Sequence, residues 1–360
     1  MEHAFGRGGP FALGVEEELL LVNPATHELA HIASQLLPRA TPPSGELKFD
    51  VYEALLETAT PVVGNALEGA RHLDGLRAAL RAAGATLMGC GIHPAGAFAD
   101  VRHVAEPRYR AIVDSMRGLI TRTPTCAVHV HVAMPDAGTA VLALNRMREH
   151  LPLLQALAAH SPWWYGHDSG FATARAQMYR AYPRAIVPRA FAGWDEYAEV
   201  VAAAVAAADV ADYTFLWWDL RLHPRLGTLE LRAMDGQARL ASVCGLSALV
   251  HALAVRAAHE GDDARTPWEA LSESSFRAGR DGLDATVYTA GARRPVRELA
   301  AEALAAARPY ARDVGAEAAL EEVERILREG NGADRMRAAH ARGGMPAVLS
   351  HLVAETAAGP

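Results

Sequence analysis

The sequence predicts an α+β fold in which helices pack on one face of an antiparallel sheet. Three observations lead there. Several short segments alternate polar and apolar residues with period two, which marks strands with one buried and one polar face. Longer segments repeat apolar residues every three or four positions, as amphipathic helices do. The two kinds of segment do not alternate strictly enough for a doubly wound parallel sheet, and no repeat or low-complexity linker divides the 360 residues.

The elements follow in chain order. Residues 11–22 and 46–58 read as strands, the second stopped by Pro61. Residues 65–83 form a helix with Leu67, Ala70, Leu73, Leu76 and Leu80 on one face. Strands at 85–91 and 126–133 come next, then a helix over 139–159 through Val141, Leu144, Met147, Leu151 and Leu154. A loop rich in aromatic residues, Gly and Pro spans 161–189, before a helix at 195–209. Strands at 215–222 and 227–233 flank a hairpin turn containing Pro224 and Gly227. A helix at 238–259, a loop at 260–275 and helices at 296–307, 317–329 and 334–356 make the last third mostly helical. Residues 1–360 are read as one domain, although length alone suits one large or two small ones, at about 150 residues each.

Hydrophobic residues make up 51% and charged residues 21%, enough for a large core and too apolar for wholesale disorder. A net charge of −7 argues against a nucleic-acid binder, while leaving room for a local phosphate-binding patch. Cys90, Cys126 and Cys244 are too scattered for a disulfide framework or a paired zinc site. The N-terminal residues have no signal-peptide core, and no charge-free apolar run reaches the roughly 18 residues that span a bilayer. The expectation is a reduced, cytoplasmic protein without a membrane partner.

Four constellations carry candidate chemistry. In Gly14-Val15-Glu16-Glu17-Glu18, a strand puts Glu16 and Glu18 on one face. They are either solvated or held by a divalent cation. In Cys126-Ala127-Val128-His129-Val130-His131-Val132, both imidazoles share a face, as zinc enzymes or hydrogen-bonded cores arrange them. Glu230 and Arg232 pair at i, i+2, as do Asp219 and Arg221, where a plain salt bridge is the simpler reading. Asp50 either caps a turn or joins Glu57 on the same polar surface. Each signal is weak alone. Together they put carboxylates, imidazoles and guanidinium groups on one polar sheet face, suited to hard cations and phosphates. Neither a P-loop nor a GxGxxG turn is present, so a nucleotide would be held by metal and arginine.

The blocks in series are similar to a known family. Residues 11–30 (FALGVEEELLLVNPATHELA), 46–62, 126–132, 161–188, 217–235 and Asn331-Gly332-Ala333-Asp334-Arg335 resemble, in order, the type 2 glutamate–cysteine ligase family of carboxylate–amine ligases. The resemblance implies a glutamine-synthetase-like fold with a curved antiparallel sheet as the floor of the site. It implies ATP and Mg²⁺ or Mn²⁺, with Glu16, Glu18, Glu57, His129 and Glu230 as metal ligands and Asp50 lining the site. It implies Arg232 at the transferred phosphate, as catalytic residue together with Glu230 and Asp50. Arg221, Arg175 and Trp163 would help to bind the nucleotide, under a loop over 161–175. His160, His167 and Ala133 stand where the family usually has Asn, Arg and Gly, which leaves the substrates open.

The chemistry so implied joins a carboxylate, by family default that of glutamate, to cysteine or another small amine through an acyl phosphate. The residues alone also suit a metal-dependent amide hydrolase built on His129 and His131, or a binding protein without turnover. The partners expected are small-molecule carboxylate and amine substrates; assembly into a homo-oligomer is compatible with the sequence.

Overall fold

The computed structural model describes residues 1–260 and 266–359. Its centre is an antiparallel sheet of seven strands: β1 (Leu13–Val22), β2 (Glu46–Phe49), β3 (Leu55–Ala59), β4 (Thr86–Met88), β5 (Ala127–Ala133) and, later in the chain, β8 (Leu220–His223) and β9 (Thr228–Asp235). The strand order is β2-β3-β1-β5-β9-β8, with β4 paired to the far end of β1. Two short hairpins stand apart, β6 (Trp163–Trp164) with β7 (His167–Asp168) and β10 (Thr286–Thr289) with β11 (Ala292–Pro295).

The alternation in β5 explains the layering. Val128, Val130 and Val132 point to one face, where they join Leu13 and Val15 of β1 in the main core. After the one-turn helix α1 (Ala33–Leu36), helices α2 (Ala66–Ala82), α4 (Ala137–Met147), α5 (Leu151–Leu157) and α8 (Leu240–His259) bury their apolar residues against that face. Helix α8 lies at the centre, buried on nearly every side. By length and composition it is apolar enough to cross a membrane, although Arg256 interrupts its charge-free run, and the fold uses it as a core helix. Helices α7 (Trp194–Ala208), α9 (Trp268–Asp281), α10 (Val296–Asp313) and α11 (Leu320–Glu329) extend this layer.

Glu17 faces this apolar layer, opposite to its neighbours Glu16 and Glu18. Arg77 of α2 meets it with two parallel bonds, Nε to Oε1 at 2.9 Å and Nη2 to Oε2 at 2.7 Å. The same guanidinium donates to the carbonyls of Ala238 and Gln237. Both side chains are about 1% exposed, so the pair is a fully dry ion pair that fixes the register of β1. A slip by one residue would expose Glu17 and bury Glu16 and Glu18.

On the other face, a second core joins Leu20, Val22, Leu55 and Met88 to α3 (Pro107–Met116) and α12 (Gly332–Ala357). These elements cover one end of that face and leave the polar strand residues as the floor of a cleft. Helix α12 is two helical stretches joined at Gly343 and at Gly344, whose φ is +66°. Cys90, Cys126 and Cys244 are free and buried.

Several boundaries differ from the sequence expectation for physical reasons. The strand expected over 46–58 is two, because residues between β2 and β3 hydrogen-bond elsewhere: Glu53 N–H donates to Arg102 and Val104 N–H to Val51. The helix expected over 139–159 breaks at 148–150, just ahead of Pro152, which has no N–H to continue it. The strand expected from 215 begins at Leu220, because Asp212 caps a helical turn at Tyr213–Phe215. Of the loop expected over 260–275, residues 261–265 lie outside the described residues, and from Trp268 onward the chain is helical. Helix α3 carries a proline in its first turn but buries only Ile112 and Met116, too few for the pattern to stand out.

Candidate functional site

Antiparallel register lines up the polar residues. Lys48 of β2 faces Glu57 of β3, and Glu57 faces Glu18 of β1. Glu16 faces His129 of β5, His131 faces Glu230 of β9, and Glu230 faces Arg221 of β8. One stripe thus crosses six strands, acidic at one end and basic at the other. Between Val128 and Val130 the β5–β9 ladder is irregular: His129 alone spans Arg232 and Ala233. Such a bulge re-aims a side chain, and here it sits at Arg232.

The acidic half gathers donors. Ligand atoms of Glu16, Glu57 and His129 all lie within 4.8 Å of one another. His129 Nδ1 is 3.4 Å from Glu16 Oε2, and its Nε2 is 3.9 Å from Glu18 Oε1. Burial, helped by the Arg232 charge, pushes His129 down to about 4, which keeps the imidazole neutral. Burial pushes Glu18 up to about 8, with the Asp50 charge adding to it, and raises Asp50 to about 6. Glu57 is held well above the carboxylate range by burial and by Glu16. Glu16 goes the other way: burial would raise it, but hydrogen bonds to His129 and His131 overcome that. Lys48 Nζ reaches Glu16 at 3.4 Å and Glu57 at 3.3 Å. Four half-buried carboxyl groups and a neutral imidazole crowd this end, with only the Lys48 ammonium among them, so the residues fit a divalent cation with oxygen and nitrogen donors.

The basic half departs from expectation. Glu230, expected as a metal ligand, is absent from the donor group; its carboxylate is 1% exposed and clamped between two arginines. Arg221 Nε donates to its Oε2 at 2.5 Å and Arg232 Nη1 to its Oε1 at 2.5 Å. These charges hold Glu230 well below the carboxylate range although burial opposes it. Arg221, expected at the nucleotide, spends its remaining bonds on the carbonyls of Thr214 and Leu216. It therefore secures Glu230 and the 213–216 turn. Arg232 keeps a buried Nε with no hydrogen-bond partner among the described residues. Arg175 of α6 (Ala174–Tyr179) likewise has an unpartnered, buried Nε. His131 bonds Thr228 through Nδ1 at 3.0 Å and turns Nε2 toward Glu16, 3.5 Å away.

Glu18, Asp50, His129, Arg175 and Arg232 line the narrow end of the cleft with Tyr52, Tyr179, Tyr182 and Trp217. Glu16, Glu57, Lys48, Arg108, Tyr109, His131 and Glu230 line its wider end, a cavity of about 560 Å³. That volume is within the range of small-molecule sites. Trp163, expected at the nucleotide, does not line the cleft: it is 3% exposed and stacked on His340. Of the loop expected over the site, 161–175, only Arg175 reaches the cleft; the rest is tied down by a hairpin and by Ser161. The sequence reading did not single out Lys48, Arg108, Tyr109, Tyr179 or Tyr182. Lys48 was within reach, since it precedes Asp50 by two residues. Arg108 and Tyr109 stand on the helix that the pattern did not reveal.

Comparison with known proteins points to one family and one fold. The sequence model of glutamate–cysteine ligase family 2 (GCS2) matches residues 12–351. A Rubrobacter xylanophilus protein, provisionally named glutamate–cysteine ligase 2-3, is 38% identical over 370 residues, spanning 99% of this chain and 100% of its own. A glutamate–cysteine ligase of Halobacterium salinarum is 35% identical over 298 residues, 79% of this chain and 82% of its own. Among solved structures, a Francisella tularensis glutamate–cysteine ligase crystallised with AMP superposes with a TM-score of 0.72 at 12% identity, covering 97% of this chain and 88% of that one. The ligase PafA, in its complex with the ubiquitin-like protein Pup, shares the fold at a TM-score of 0.55 and 9% identity, covering 92% of this chain and 68% of that one.

Proposed function

The chain belongs to glutamate–cysteine ligase family 2, and from that premise we propose that it is an ATP-dependent carboxylate–amine ligase whose catalytic unit is residues 1–360. The observation that carries this reading is the stripe itself. A three-donor group on the sheet faces one cleft with Arg232 of β9 and Arg175 of α6, whose Nε atoms have no hydrogen-bond partner among the described residues. Relatives named glutamate–cysteine ligase support glutamate as the carboxylate and cysteine, or a similar small amine, as the acceptor.

Each residue has a part. Glu16, Glu57 and His129 would hold a divalent cation, Mg²⁺ or Mn²⁺, with Glu18 beside them. When bound there, the cation neutralises phosphate oxygens of ATP. Arg232, aimed by Glu230 and the bulge, contacts the phosphoryl group as it moves to the substrate carboxylate, and Arg175 binds anionic groups at the narrow end. The acyl phosphate so formed is attacked by the amine, and phosphate leaves. Asp50, poised at about 6 by burial, takes the proton from the acceptor ammonium. The hydrolase alternative needs both imidazoles on one cation, but His131 lies outside the donor group and bonds Thr228.

A panel of amines offered with Mg-ATP and glutamate, read by phosphate release, tests the reading. Phosphate and ADP should appear only when carboxylate and amine are both present. Amide cleavage without ATP would favour the hydrolase. The metal has its own test, independent of turnover. Saturating Mn²⁺ should raise the melting temperature of the parent, because binding to the folded state alone stabilises it by about 2.7 kcal/mol at 100 Kd. The rise should vanish in Glu57→Gln. An unchanged rise in that variant removes Glu57 from the cation site.

A further inference from the structure

We propose that Asp235 is a positioning residue that sets the aim of Arg175 into the cleft; this rests on the reading above for Arg175's role but not for its geometry. Asp235 closes β9, five residues beyond Glu230, and is 1% exposed. Its Oδ2 accepts the His160 N–H at 2.8 Å and the Ser161 hydroxyl at 2.7 Å, and its Oδ1 accepts the Thr173 hydroxyl at 2.9 Å. The sheet floor is thereby joined to both ends of the 161–173 segment.

The same carboxylate controls Arg175 in two ways. Through Ser161, whose Oγ accepts the Arg175 N–H at 3.2 Å, it fixes the backbone that carries the guanidinium. Through charge, its Oδ1, 3.7 Å from Arg175 Nη1, anchors one end of the guanidinium. Nη2 donates to the Arg232 carbonyl at 3.4 Å, and Arg175 lies over the Tyr179 ring at 5.3 Å. Nε is left buried and without a partner among the described residues, on a side chain that lines the narrow end. A guanidinium so buried needs a counter-charge in a set place, or it turns to find one.

Gly91 shows that space is kept for this carboxylate. A Cβ there would lie 2.6 Å from Asp235 Cγ and 2.8 Å from Ser161 Oγ. The φ of Gly91 is not in the left-handed region, and the three atoms nearest to an added Cβ all belong to the side chains of Asp235 and Ser161.

The test is a double-mutant cycle read by kcat/KM and, apart from turnover, by the calorimetric Kd of ADP. In the parent, Asp235→Asn should lower kcat/KM by about 10²-fold and weaken ADP about 10-fold. In an Arg175→Met background the same change should cost less than about threefold in both, because the group it aims is gone. Gly91→Ala, which displaces the carboxylate without removing its charge, should reproduce the loss in the parent and not in Arg175→Met. Losses that multiply in the double variant would overturn the proposal, as would a parent Asp235→Asn that melts lower but keeps both constants. If Asp235→Asn fails to fold, the Gly91→Ala cycle decides by the same two outcomes. If the parent lacks ligase turnover, the proposed function fails, while the ADP cycle still judges Asp235.

Discussion

Replacing Arg232 with Lys should lower kcat by about 10²-fold or more, with a smaller effect on nucleotide affinity. Lysine keeps the charge but loses the planar fork. In the structure that fork does two things at once. Nη1 is committed to Glu230, while Nε is buried with no partner among the described residues, on a side chain that lines the cleft. A single ammonium cannot hold the carboxylate and still offer a directed donor on the other side. Steady-state kinetics beside a thermal melt would check this. A variant with near-normal turnover and a depressed melting temperature would make Arg232 a structural partner of Glu230 and nothing more.

Glu230→Gln differs from what strand spacing alone suggests. With its carboxylate between Arg221 and Arg232, loss of its charge leaves two buried guanidinium groups short of a partner, so both stability and turnover should fall.

Arg77→Met should cost about 3–5 kcal/mol of unfolding free energy, because Glu17 would be left as an unpaired charge in the core. Denaturant unfolding measures it directly. Adding Glu17→Met should restore much of the loss, since an apolar pair of similar volume removes the stranded charge, although the carbonyls of Ala238 and Gln237 still lose their donor. A single variant within 1 kcal/mol of the parent would mean that the pair is not what holds β1 in register.

These expectations show which parts of the molecule were legible in the chain. The alternation in Gly14-Val15-Glu16-Glu17-Glu18 and Val128-His129-Val130-His131 reports its own faces, and the structure places Glu16 opposite His129. The hairpin turn at Pro224 and Gly227 makes the last two strands neighbours, but alternation does not report register, so neither the Arg221–Glu230 pairing nor the bulge at Arg232 could be read. Trp163 illustrates a second limit. An aromatic residue in a Gly-rich stretch looks like a lid, but its burial depends on His340, 177 positions away. Asp235 is a third case, because its partners His160, Ser161 and Thr173 are more than 60 positions away in sequence.

The claim that the cleft activates a carboxylate as an acyl phosphate can be met with one isotope measurement. Glutamate labelled with ¹⁸O in its carboxylates is turned over with Mg-ATP and an accepted amine, and the released phosphate is analysed by mass spectrometry. Attack of the carboxylate oxygen on the γ-phosphoryl group keeps that oxygen on phosphorus when the amine displaces phosphate, so one ¹⁸O should appear in each phosphate formed, with ADP as co-product. Unlabelled phosphate, or AMP and pyrophosphate in place of ADP, would contradict it.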